Sequence, residues 1–185
     1  MHSEIVMSGF GGQGVLLIGK LLAYAGMNDG HEVTWMPSYG PEMRGGTCNC
    51  TVVLSDEPIG SPISKRPHAL IALNLPSLDK FEDAVRPGGI IVVNTSLVTR
   101  LPRRTDVTVV AVAANEIAVE LGTAKAANMV ALGAFLGASG LVDQGKVESM
   151  LAEAFPNRQK LIELNQKALR RGFEIGQAAT AVAAR

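Results

Sequence analysis

The sequence carries no surplus charge of either sign. Its 17 Lys and Arg balance 17 Asp and Glu, so the long-range positive field with which a protein gathers nucleic acid is missing. The same balance gives little electrostatic protection against association with another chain. Aromatic residues are scarce at 4%, whereas there are 20 glycines and 47% hydrophobic residues. A core this small-sided and aliphatic suits helices packed closely on a sheet better than an aromatic-cored sandwich. Cysteine is limited to Cys48 and Cys50. Two thiolates cannot complete a zinc or iron–sulfur site. Two positions apart on a strand they share one face, about 6.6 Å apart along it, a poor start for a disulfide. Met1 to Met7 does not resemble a leader peptide. The longest apolar stretch, from Met129 to Leu136 and beyond, is broken by glycine and too short to span a membrane. These absences set the expectation of a cytoplasmic protein with neither membrane nor nucleic acid as partner.

What is present is an alternation of β-like and helix-like segments. Strands are expected at Glu4 to Ser8, Glu32 to Met36, Thr47 to Leu54, His68 to Leu73, Ile90 to Asn94 and Val107 to Val112. Helices are expected at Val15 to Asp29, Leu78 to Val85, Asn115 to Leu121, Ala127 to Ser139, Gln144 to Phe155 and Arg158 to Gln177, the last followed by a fraying Ala-rich tail. Segments 37–46 and 55–67 read as loop and connector. This is the pattern of an α/β fold, a Rossmann-like three-layer sandwich formed by residues 1–185 as a single domain. Its sheet is mostly parallel. One antiparallel strand is expected, because Thr47 to Leu54 follows its predecessor with only a loop between.

Two segments stand out. Gly9-Phe10-Gly11-Gly12-Gln13-Gly14 has the G-x-G-x-x-G spacing between a strand and a helix. It predicts a turn with positive φ at Gly9, close backbone approach at Gly11, tight helix–strand packing at Gly14, and a helix N-terminus open to an anion. An acidic residue at the end of the second strand would complete a dinucleotide site. Thr34-Trp35-Met36-Pro37-Ser38 supplies none. A phosphate-bearing ligand, a docking contact and a purely structural turn all remain open. The second segment, Pro37 to Gly46, holds three glycines, two prolines, Tyr39, Glu42, Met43 and Arg44 without a hydrophobic period. Loops after strand ends share one rim of a doubly wound sheet, so this segment is expected beside the glycine turn. Arg44 could bind a carboxylate or phosphate there, or simply pair with Glu42. Asn74 and Asn94 reach the same rim with weaker claims, and an Asx-turn already accounts for Asn74. His2, His31 and His68 are scattered and read as structural or solvated.

The glycine turn followed by Ser38-Tyr39-Gly40-Pro41-Glu42-Met43-Arg44-Gly45-Gly46 resembles the gamma-subunit domain of the 2-oxoacid:ferredoxin oxidoreductases, a family acting on pyruvate, 2-ketoisovalerate and 2-oxoglutarate. The similarity extends along nearly the whole chain. It implies a subunit that is inactive alone, in an enzyme that decarboxylates a 2-oxoacid oxidatively to acyl-coenzyme A and passes electrons to ferredoxin. Thiamine diphosphate, Mg and iron–sulfur clusters would sit on alpha-, beta- and delta-type partner subunits, with ferredoxin contacted only indirectly. This chain would bind no cofactor by itself and would contribute no catalytic residue and no metal ligand. Its ligand-binding or interface loops would be Gly9, Gly11, Gly12, Gln13, Gly14 and Ser38, Tyr39, Gly40, Pro41, Glu42, Met43, Arg44, Gly45, Gly46, with coenzyme A at the interface. A homodimer of the isolated chain remains open. The competing expectation is a stand-alone nucleotide- or dinucleotide-binding oxidoreductase of Rossmann type.

Overall fold

A computed structural model describes residues 1–40 and 45–183. Among these residues six strands, β1 (His2–Phe10), β2 (Glu32–Tyr39), β3 (Thr47–Ser55), β4 (Ala69–Ala72), β5 (Ile90–Asn94) and β6 (Thr108–Val112), form one sheet in the order β2-β3-β1-β4-β5-β6. The ladders β1–β4, β4–β5 and β5–β6 are parallel. β3 is the antiparallel strand, paired with β1 on one side and β2 on the other. The expected fold class is therefore observed.

Strand lengths differ from expectation where the partner decides them. β1 runs to Phe10 because β3 matches it from His2↔Ser55 through Phe10↔Thr47. β2 extends past Met36 to Tyr39, so Pro37, Ser38 and Tyr39 are strand rather than loop. Pro37 is tolerated because β2 lies at the sheet edge, where a missing N–H leaves no ladder bond unmade on the open side.

Among the described residues, six α-helices cover the sheet: α1 (Val15–Asn28), α2 (Leu75–Phe81), α3 (Ala114–Glu120), α4 (Ala127–Ser139), α5 (Gln144–Ala154) and α6 (Gln159–Ala183). α2 begins earlier than its apolar spacing suggests. Asn74 Oδ1 accepts the Ser77 N–H at 3.0 Å, and Pro76 occupies the first turn, where its missing N–H costs nothing. α6 continues through the Ala-rich segment to Ala183, which favours helix intrinsically.

The layers are unequal. The larger core unites Ile5, Met7, Val52, Leu54, Ile71, Val92 and Val110 of the sheet with α1, α3, α4, α5 and α6. The smaller one sets Val6, Leu70, Ala72, Ile91 and Val93 against Leu78 of α2 and Val85. Within α4, Asn128 to Leu136 is buried on every side, which explains why its sequence shows no amphipathic period. Cys48 and Cys50 both lie in the larger core. Burial pushes the Cys50 thiol up to about 12, so it is protonated and inert at neutral pH.

The segment between β5 and β6 is tied down through Glu82, which follows α2 and is 3% exposed. Its carboxylate accepts from Arg100 Nη1 at 3.1 Å and Nη2 at 2.5 Å, and from the Arg103 N–H at 3.1 Å. The bonds from Arg100, opposed by burial, leave the Glu82 pKa below its usual 4.5. A depressed carboxylate pKa stabilises the fold above the unfolded-state value and loses that contribution as pH falls through the folded value. Glu82→Gln is expected to lower stability at neutral pH by roughly 2 kcal/mol, the loss of a charge-assisted pair in a buried setting. It should also flatten the fall in urea midpoint below pH 4.5. A variant with the wild-type acid profile would refute this account.

Candidate functional site

Helix α1 leaves β1 toward the larger core, whereas α2 leaves the neighbouring strand β4 toward the other face. A crevice must open where adjacent parallel strands send their helices apart, at their C-terminal ends. The glycine turn lies at that point. Gly9 is not the turning residue: it is extended, within β1 and opposite Cys48. A Cβ there would come within 2.9 Å of the Val15 side chain, so its lack of a side chain serves packing. The positive φ values belong to Gly12 at 100° and Gly14 at 76°, both in the left-handed region where a side chain is strained.

Gly11 uses its backbone on the chain itself. Its N–H donates to Gly46 O at 2.8 Å, and its carbonyl accepts from the Gly45 N–H at 3.1 Å. Gly40 N–H donates to Thr47 O at 3.1 Å. The two glycine-rich segments are thus joined at one rim, where β3 begins beside the ends of β1 and β2. Ser38 and Tyr39 finish β2, with Tyr39 54% exposed. Pro41, Glu42, Met43 and Arg44 lie outside the described residues.

Gln13 organises the turn. Its Oε1 accepts from the Phe10 N–H at 2.6 Å and from Asn74 Nδ2 at 3.0 Å, and its Nε2 donates to Leu73 O at 3.4 Å. Asn94 donates through Nδ2 to Leu73 O at 3.2 Å and to Asn115 Oδ1 at 2.9 Å, and its Oδ1 accepts the Ala114 N–H. Asn128 donates to Gly14 O at 3.2 Å. Asn74 and Asn94 lie at this rim, as members of a chain of amides along the ends of β1, β4 and β5. Asn115, Lys125 and Asn128 escaped the sequence reading. A signal existed for Asn128, a polar side chain opening an otherwise apolar helix and 4% exposed.

These residues enclose two adjoining clefts. One of about 230 Å³ is lined by Gly12, Gln13, Asn94, Asn115, Lys125 and Asn128. The other, about 360 Å³, lies against Gly12, Gly14, Leu17, Thr123, Lys125 and Phe155. The first turn of α1 has no side-chain cap, so its backbone N–H groups and positive dipole end are available to a ligand. Lys125 is the one ionisable side chain among the described residues lining either cleft. An uncapped helix start, a single cation and neutral amides can bind and orient an anion. They offer no carboxylate or imidazole for proton transfer.

The family model for pyruvate ferredoxin/flavodoxin oxidoreductase matches residues 4–175. The chain belongs to this family. It is of the gamma-subunit type, in line with the resemblance carried by the two loops. It is 42% identical over 173 residues to the ketoisovalerate oxidoreductase subunit VorA of Methanothermobacter marburgensis, a match covering 92% of this chain but 36% of that protein. The chain thus spans about a third of that relative's length. The 2-oxoglutarate synthase subunit KorC of Methanocaldococcus jannaschii is 35% identical over 181 residues, covering 96% of this chain and 95% of the relative. Among solved structures, the keto/oxoacid ferredoxin oxidoreductase gamma subunit from Geobacter sulfurreducens superposes with a TM-score of 0.85. The two share 35% identity over 97% of this chain and 98% of that one. The competing expectation of a stand-alone dinucleotide enzyme has no support among these relatives. No helix among the described residues is long and apolar enough to cross a membrane.

Proposed function

We propose that this chain is the gamma subunit of a cytoplasmic 2-oxoacid:ferredoxin oxidoreductase and forms one wall of its active site. The complex would convert a 2-oxoacid, with coenzyme A, to acyl-coenzyme A and carbon dioxide, reducing ferredoxin. The observation that carries the reading is the backbone pairing of Gly11 with Gly45 and Gly46, which fuses both family loops into one surface beside an open helix N-terminus.

Cofactor chemistry belongs to partners on this reading. Cys48 and Cys50 are buried in the larger core with both thiols pushed up by burial, so they do not suit an iron–sulfur cluster. The described rim clefts lack the carboxylates that would hold the magnesium of thiamine diphosphate. Alpha-, beta- and delta-type subunits would supply both groups, and ferredoxin would meet those partners rather than this chain. The role left to the rim is to hold the phosphates of coenzyme A at the α1 N-terminus and Lys125. Gln13, Asn94, Asn115 and Asn128 would fix its orientation without adding charge.

In the assembled complex, Lys125→Ala is expected to raise the KM for coenzyme A roughly tenfold, the loss of one charge-assisted contact. The maximal rate should change little. The measurement is dye reduction at varied coenzyme A with saturating 2-oxoacid. An unchanged KM would remove coenzyme A from this rim, and failure to co-purify with the partner subunits would sink the subunit assignment itself.

A further inference from the structure

The opposite end of the sheet carries a second polar cleft, of about 790 Å³, lined by Glu4, Ser61, Ile63, Lys65, Arg66, His68, Arg86 and Pro87. It sits where β1, β4 and β5 begin, remote from the glycine turn. Lys65, Arg66 and Arg86 are exposed, and none of them forms an ion pair among the described residues. Arg100, Arg104, Lys146, Arg170 and Arg171 each have a carboxylate partner, whereas these three border one cleft together without one. The one acid of this lining, Glu4, is already engaged by His2 at 3.3 Å and by the Ser64 hydroxyl. Three positive charges against the one carboxylate of Glu4 leave an excess around one concavity, and a bound anion relieves it.

The cations are held together rather than scattered. Arg86 N–H donates to Pro67 O at 3.0 Å and its carbonyl accepts from the Gly89 N–H at 3.0 Å, which ties its turn to the connector bearing Lys65 and Arg66. His68 Nδ1 accepts the Glu4 N–H at 3.2 Å, so its ring proton sits on Nε2. Ile63, 62% exposed, and Pro87 give the cleft an apolar wall. The depression is broad and open to solvent, with room for more than inorganic phosphate.

We propose that this cleft binds an organic phosphate with at least two negative charges, its phosphates on Lys65, Arg66 and Arg86 and its carbon skeleton against Ile63 and Pro87. Such a ligand would leave a trace on His68. Burial, then Arg86, with a smaller contribution from His2, lower the His68 pKa from 6.5, against the opposing pull of Glu4. Lys65 and Arg66 face the same cleft from the connector. From α4, Phe135 and Ser139 line the space of about 180 Å³ that His68 also borders, and they add no charge. An anion offsetting Arg86 would raise the His68 pKa.

The test is titration of the full chain with adenosine diphosphate, magnesium-free and at fixed ionic strength, following the His68 ring signals by NMR. Saturable binding at the His68 signal with a rise in the His68 pKa is expected. Arg86→Gln and Arg66→Gln should each weaken it roughly tenfold. Lys65→Gln, on the exposed connector, serves if Arg86→Gln fails to fold. Arg158→Gln, on a distant surface, and Lys125→Ala, in the other rim cleft, should leave the affinity unchanged. The proposal is overturned by a His68 signal that never saturates, by equal weakening in Arg158→Gln, by loss of binding in Lys125→Ala, or by a hexaglutamate peptide that binds more tightly than the nucleotide.

Discussion

Gly133→Ala is expected to destabilise this protein severely, although it adds only one methyl group. Gly133 and Gly137 stand four residues apart on α4, and Gly172 and Gly176 four apart on α6, so each pair lies on one helix face. A Cβ on Gly133 would lie 2.9 Å from both the Leu169 carbonyl carbon and the Phe173 nitrogen, and closer still to the Leu169 oxygen. The relation is reciprocal, since Gly172 meets the Val130 carbonyl and Gly176 that of Ala134. The helices touch backbone to backbone, an approach stabilised by Cα–H···O contacts and dispersion. α4 is buried all round and cannot retreat, so overpacking there should cost about 3 kcal/mol or more. That is a large part of the stability of an ordinary domain. Gly60→Ala, with open space around its Cβ, should change little. Urea midpoints of the two variants provide the comparison, and similar values would contradict the argument. The consequence reaches function, because Asn128 in the first turn of α4 holds Gly14 of the glycine turn.

Gly12→Val should have the opposite profile, with a fold largely kept and activity largely lost. At a φ of 100° a β-branched residue is strained, at a cost of roughly 1–3 kcal/mol. No atom lies within 4 Å of the Cβ position, so nothing inside the chain is displaced. The isopropyl group would instead project into space shared by both rim clefts. In the assembled complex, coenzyme A-dependent turnover is expected to fall tenfold or more, on the order of one lost binding contact or worse. Gly12→Ala should be intermediate. Full activity in a folded Gly12→Val complex would mean that neither ligand nor partner uses this surface.

How far the site could be seen beforehand depended on whether its cause was local. The strand-to-helix placement of the glycine turn was visible, because spacing and apolar flanks are properties of contiguous residues. Its detailed roles were not. Gly9 lies in β1 because β3 pairs with it, and β3 arrives from nearly forty residues downstream. Pro37 to Tyr39 looked like loop because an edge strand needs only one paired side, a fact about the sheet rather than the tripeptide. Lys125 and Asn115 bear no motif and join the cleft only because β5, β6 and α4 deliver them to the same rim.

The helix pair was hidden for a related reason. Gly133, Gly137, Gly172 and Gly176 each lower helix propensity, and nothing in the sequence says that the two pairs face each other. The basic cleft likewise gathers Lys65, Arg66 and Arg86 across twenty residues of chain. By itself, then, the sequence determined the alternation of strands and helices, the mostly parallel sheet and, through two motifs in order, the family. Those follow from periodicity and from the conformational limits of glycine and proline, which act over a few bonds. The tertiary structure alone decided which glycines turn and which merely fit, which amides meet at the rim, and which cations are left without partners. Each of those is a relation between segments distant in the chain, set by strand order and by the packing of helices on the sheet.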